Sequence, residues 1–277
     1  MFNSLSVLCA RRRWLKRLSL GVLPSIAHSN IFKKINFHFD PRDMRGPSFH
    51  FGYDLEKGFL NYEQVGKNEL LDLVPKGGNF LDVGANIGMF SVYFALKRKD
   101  IQLYCFEPDS TVYRCLSKNM EQFEDDRIKI FNCGLGEKSE DKSLYKSELN
   151  DGGHSFIAEN DHQESEVVQV RVFDEMVESG EVEIPDVIKI DVEGFEYQVL
   201  KGMVKSIQKR RPTLYIESDN CDFKDKGPLW KLLSSFEGLY ARRAGSQKKM
   251  NMQELSEFAH NEVQNNILVS NYFFQHQ

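Results

Sequence analysis

The sequence predicts an α/β fold: a mostly parallel sheet with helices on both faces. Apolar runs of strand length alternate with stretches of helical period along most of the chain. Residues 79–91, NFLDVGANIGMFS, read as a buried strand, a glycine turn and a helix start. Carboxylate side chains recur at the ends of the predicted strands, where open α/β sheets bind their ligands.

In chain order, residues 5–23 are apolar but interrupted by Arg11, Arg12, Arg13, Lys16 and Arg17. A signal peptide would keep its charges ahead of an unbroken apolar core, so none is expected. A basic amphipathic helix, with Leu8, Leu15, Leu18 and Val22 on one side, suits either peripheral contact with an anionic membrane or packing on the main domain. Residues 31–57 alternate, break at PRDMRGP and alternate again, which predicts a hairpin. These parts make an N-terminal extension over 1–60, and residues 61–277 make the main domain.

A helix over 61–74 stops at Pro75. Strands are expected at 79–83, 101–106, 127–131, 187–190 and 213–216, with a last one around 266–269. Residues 143–146 and 167–172 read as extended. Helices are expected from Asp109 to about Phe123, over 194–208 and over 229–236.

Composition narrows the partners. With 28% charged residues and a net charge of −5, there is no overall polycation to hold nucleic acid. The five cysteines are scattered without a C-x-x-C pair, so neither a disulfide framework nor a zinc site is expected, and a reducing cytoplasm is the simple reading. No apolar run reaches the roughly 18 residues of a membrane span.

The glycine turn and the acids carry the chemistry. Gly84 and Gly88 leave no Cβ over the turn, and the new helix offers unpaired N–H groups. A dinucleotide asks for G-x-G-x-x-G, but Ala85 and Asn86 fill the middle here, and Asp82 would repel a pyrophosphate. An acid suits a cation, and S-adenosylmethionine carries an ammonium and a sulfonium. The alternative is a tight turn serving another ligand. Other strand ends deliver Glu107, Asn132 or Cys133, Asp191 with Glu193, and Glu217 with Asp219. Glu107 lies about one βα unit on, where an acid accepts both ribose hydroxyls; its plainer role is a helix cap before Pro108.

Four motifs in order resemble the FkbM family of S-adenosylmethionine-dependent methyltransferases. They are FLDVGANIGMFS, FEP at 106–108, VIKIDVEGFEYQVLKGM at 187–203 and RPTLYIES at 211–218. A fifth segment, RVFDEMV from Arg171, resembles the family's T-L-D segment with Val172 and Phe173 in place of Thr-Leu. The likeness runs from about Tyr62 to the C-terminal strand. It implies a class I methyltransferase, Rossmann-like fold with a seven-stranded sheet whose last strand is antiparallel. It also implies O-methylation of a hydroxyl, often on a sugar, glycolipid or polyketide-like product. By position, Asp82, Gly84, Asn86 and Gly88 would hold the methionine end, Glu107 the ribose, and Asn132 and Cys133 the adenine.

A hydroxyl acceptor is a weak nucleophile, and a positioned base helps it. Asp191 is the first candidate, followed by Glu193, Glu217 and His154 in the loop NDGGHS. The plainer roles are helix capping for the acids and an exposed loop position for the histidine. Asp191, Glu217 and Asp219 are also hard oxygen donors, but their spacing does not establish a metal and none is assigned. The competing readings are a nucleotide-dependent oxidoreductase and a non-catalytic cofactor-binding protein.

Overall fold

The computed structural model describes residues 26–31, 35–40, 55–147, 153–157, 162–265, 267 and 269–276. The basic segment 5–23 and the second arm of the expected hairpin, 48–54, lie outside the described residues. The hairpin that is described sits earlier. It pairs β1 (Ala27–Ile31) with β2 (Ile35–Phe39) in antiparallel register.

Two short helices follow, Leu55–Asn61 and Gln64–Leu73, in place of the single one expected over 61–74. The break falls at Glu63, whose φ of 42° is left-handed and turns the chain between them. Next come β3 (Asn79–Val83), the helix Met89–Lys97, β4 (Gln102–Phe106), the helix Ser110–Met120 and β5 (Ile128–Phe131). Asp109 starts the helix at 110 as expected, its side chain accepting from the N–H groups of Thr111 and Val112. A small side sheet follows, with β6 (Gly134–Leu135) and β7 (Glu140–Ser147) flanking β8 (His162–Arg171). The helix Phe173–Glu178 leads to β9 (Val187–Ile190).

The helix expected over 194–208 is also two, Glu196–Lys201 and Val204–Arg210. Gly202 makes the break. A Cβ there would lie 2.0 Å from the Gly136 carbonyl oxygen, so only glycine lets the chains pass. The chain then runs through β10 (Thr213–Asp219), the helices Asn220–Lys224 and Pro228–Ser234, β11 (Leu239–Arg243), the helix Met252–Gln264 and β12 (Val269–His276).

The main sheet has seven strands in the order β11-β12-β10-β9-β3-β4-β5. Only β12 runs against the rest, as expected of the last strand in a class I methyltransferase, Rossmann-like sheet. The central strands are apolar on both faces because helices cover both. One core, around Phe80, Phe90, Phe94 and Leu103, lies under the helix 89–97. The other, around Leu81, Ile188, Ile190 and Leu214, lies on the opposite face. Alternation along β3 therefore sends Phe80 and Asp82 one way, Leu81 and Val83 the other.

Candidate active site

The carboxyl ends of β3, β4, β9 and β10 surround a cleft of about 230 Å³. Its floor is the glycine turn. Gly84 has a φ of +75°, and a Cβ on it would sit 1.8 Å from the Asp191 carbonyl oxygen. The turn after β3 is thus pressed against the exit of β9, where the Asp191 N–H donates to the Val83 carbonyl at 3.1 Å. Asn86, at φ 50°, folds its side-chain oxygen onto the N–H of Ile87 at 2.7 Å.

Below the floor, Cys105, Asp82, Lys189 and Tyr215 share one register across β4, β3, β9 and β10. They form a polar row on the face covered by the helix 89–97. Asp82 is fully buried and accepts a hydrogen bond from Ser91 Oγ at 2.5 Å. The Lys189 ammonium lies 3.4 Å from Asp82, 3.1 Å from Asp191 and 3.0 Å from the Gly84 carbonyl, which accepts its hydrogen bond. Burial alone would lower the Lys189 pKa, but the charges of Asp191, Asp82 and Glu63 outweigh it and the pKa is raised. Lys189 therefore stays charged and ties the row to the cleft.

Asp191, Glu193 and Glu217 lie together at the β9–β10 end, with carboxylate oxygens within 4.8 Å of one another. That spacing suits a divalent cation as well as a shared proton. Asp219, expected near this cluster, instead starts the helix at 220 by accepting from the Cys221 N–H. Burial pushes the Asp191 pKa up, but Lys189 and a hydrogen bond from Glu217 pull it down further, so its net shift is downward. Repulsion from Asp191, then burial, pushes Glu217 up to about 10, so Glu217 carries the proton between them at neutral pH. A further carboxyl group arrives from outside the sheet: Glu63, at the kink between the helices Leu55–Asn61 and Gln64–Leu73, accepts from Tyr215 Oη at 3.0 Å and lines the cleft.

Glu107 marks the β4 end. Its two oxygens accept from the N–H groups of Asn86 at 3.0 Å and Asp109 at 2.9 Å. Burial nonetheless pushes its pKa up to about 8. His154 lines the cleft and lies 3.8 Å from Asp109, which is also paired with Lys146. Its ring Nδ1 accepts from the Ser147 N–H at 3.2 Å. Cys133 supplies a neutral wall, since burial pushes its thiol up to about 11.

Gly84, Asn86, Glu107, Cys133, His154, Asp191 and Glu193 all line this one cleft. Asp82, Gly88 and Asn132 do not. Asp82 is the penultimate residue of β3 and faces the helix side. Gly88, at φ +92°, starts the helix 89–97, and a Cβ on it would lie 3.0 Å from Leu116 Cδ1. Asn132 is exposed and donates to the carbonyls of Glu107 and Pro108. Glu63 and Lys189 were not among the expected site residues, and Glu217 stood third among the candidate bases. Lys189 had a signal, a single cation inside the apolar strand VIKI. Glu63 had none, because nothing local marks a left-handed glutamate.

A profile of the methyltransferase FkbM domain matches residues 82–266, well over half of the chain. The chain belongs to the FkbM methyltransferase family. Two curated relatives are the hexuronic acid methyltransferase AglP of Haloferax volcanii and methyltransferase 1 of Beauveria bassiana. The first is 35% identical over 50% of this chain and 55% of its own length. The second is 28% identical over 47% of this chain and 59% of its own. The FkbM chain thus spans little more than half the length of either relative. Among solved structures, the methyltransferase FkbM of Methylobacillus flagellatus aligns with a TM-score of 0.45 at 17% identity, over 80% of this chain and 54% of that one. Among the described residues, no helix is long and apolar enough to cross a membrane.

Proposed function

We propose that the FkbM chain is an S-adenosylmethionine-dependent O-methyltransferase acting on a hydroxyl of a glycan, glycolipid or related metabolite. One observation carries this most directly: Glu107 and Asp191 line a single cleft, over a glycine turn, at the carboxyl edge of a class I sheet. Family membership supports the reaction class. The Haloferax relative, named for a hexuronic acid, supports a sugar-derived acceptor.

When bound, the cofactor supplies an electrophilic methyl group on a sulfonium. The residues present fit such a group, because carboxyl side chains outnumber basic ones around the cleft. Glu107 holds the ribose hydroxyls with the lone pairs left by its two backbone donors. The backbone of Gly84 and Asn86 takes the methionine end, and Cys133 flanks the adenine. Asp82 acts one step removed by fixing Lys189, and Lys189 fixes Asp191. Asp191 would accept the proton that the acceptor hydroxyl loses as its oxygen takes the methyl group and the sulfur–methyl bond breaks. Glu217, already protonated, hydrogen-bonds to Asp191 and leaves it free of that proton.

Incubation with labelled S-adenosylmethionine and a cell extract split into lipid, polysaccharide, small-molecule, nucleic-acid and protein fractions tests the proposal. Label in a glycan or glycolipid is the expected result, and label in nucleic acid or protein alone would contradict it.

A proton-release prediction follows from Glu107. Its carboxyl group is largely protonated at pH 7, because its pKa stands at about 8. Ribose hydroxyls donate to the charged form and so lower that pKa. Binding of S-adenosylhomocysteine at pH 7 should therefore release a proton, seen as a calorimetric heat that varies with buffer ionisation enthalpy. Glu107→Gln should remove the variation. Buffer-independent heats with the unaltered chain would contradict the ribose role.

A further inference from the structure

A second, wider groove adjoins the cleft and shares Glu193 and Glu217 with it. An occupant of the groove therefore reaches the carboxyl groups at the ends of β9 and β10. The segment 153–157 fixes the loop between the two spaces. Ser155 Oγ donates to the Glu193 carbonyl at 2.7 Å, and Ile157 leans over Gly194.

The groove wall describes its occupant. Ile157, Tyr197 and Leu229 give it apolar surface, and Ser218 adds a hydroxyl. Ser218 is only 3% exposed, and its Oγ has no hydrogen-bond partner among the described residues. A buried hydroxyl in that state is costly unless an occupant meets it. The ionisable side chains are all acidic, although Glu217 is protonated at neutral pH and burial pushes Glu196 up to about 7. Glu193, Glu196, Glu217, Asp219 and Asp222 line the groove, and no lysine, arginine or histidine does among the described residues. A carboxylate or phosphate brought here would find no cation to offset the repulsion. Neutral hydroxyls can donate to these acids, and an ammonium is attracted by them.

We propose that this groove holds the acceptor, and that the acceptor is a hydroxylated sugar without an anionic substituent. The proposal rests on the methyl-transfer reading above and narrows it to a charge class. The Ser218 hydroxyl and the groove acids then hydrogen-bond the sugar, while Tyr197 and Leu229 cover its apolar face.

The test uses the full chain loaded with S-adenosylhomocysteine. Saturation-transfer NMR measures binding of the methyl glycosides of glucose, galactose and mannose, of their amino sugars, and of their uronic acids. At least one neutral or amino sugar should bind about tenfold tighter than its uronate. Ile157→Lys, a change at an exposed side chain, should narrow that gap by adding a cation to the wall. Uronates that bind as tightly as their parents, binding by none of the sugars, or a gap unmoved in Ile157→Lys would each overturn the proposal. A chain that takes up no S-adenosylhomocysteine removes the donor reading, and this proposal falls with it. Failed sugar discrimination on a loaded chain overturns the charge class alone.

Discussion

Lys189→Met should lower stability by ~3–5 kcal/mol, because it leaves buried carboxylates without their cation. In a chain of this size that is a fall in melting temperature on the order of 10 °C. Asp82 is fully buried and its charged neighbour is Lys189, at 3.4 Å. Methionine fills much of the lysine's volume, so packing changes little and the loss reports charge. Adding Asp82→Asn should restore part of the stability, since the orphaned charge is then gone. Thermal melts of the single and double variants check this. A Lys189→Met chain within about 1 kcal/mol of the parent would mean that the row is not held by charge.

Asp191→Asn should lower the methyl-transfer rate by ~10²–10⁴-fold while leaving S-adenosylhomocysteine affinity nearly unchanged. Asparagine keeps the shape and still accepts a hydrogen bond from Lys189, but it cannot take the acceptor's proton. Lys189 also keeps Asp82 and the Gly84 carbonyl, so the fold survives. Glu217→Gln should cost less, because its proton stays put in the proposed step. Initial rates, donor titration and a melt on each variant separate rate from binding and folding. Full activity in Asp191→Asn would remove Asp191 from the chemistry, and a larger loss in Glu217→Gln would pass the role to Glu217. Repeating the rates with EDTA asks whether the three-carboxylate cluster also needs a cation.

Much of the fold was legible because its central strands are short apolar runs bounded by clear breaks. The strand over 187–190 stands where the sequence placed it, and Asp109 starts its helix by the hydrogen bonds its residue type implies. The edge strand Leu239–Arg243 escaped notice because LYARR carries arginines where a core strand would carry apolar residues. Arg242 is buried only by laying its guanidinium over Phe273 and pairing with Glu69, which are partners far away in sequence. The helix Met252–Gln264 was not expected, although Asn251 and Glu254 form a capping box that marks its start. Glu107 and Asp191, both expected from their strand ends, line the cleft. Asp82 does not line the cleft while Val83 does, because β3 runs on through Val83 and neighbouring residues of a strand face opposite sides.

The central claim is that a cleft ringed with carboxyl groups receives a positively charged methyl donor. Calorimetric titration of the purified chain with S-adenosylmethionine, and separately with NAD, tests it most directly. The expected result is a saturable one-to-one heat with S-adenosylmethionine, sharply weakened in Glu107→Ala, and no heat with NAD. Saturable binding of NAD with none of S-adenosylmethionine would contradict it.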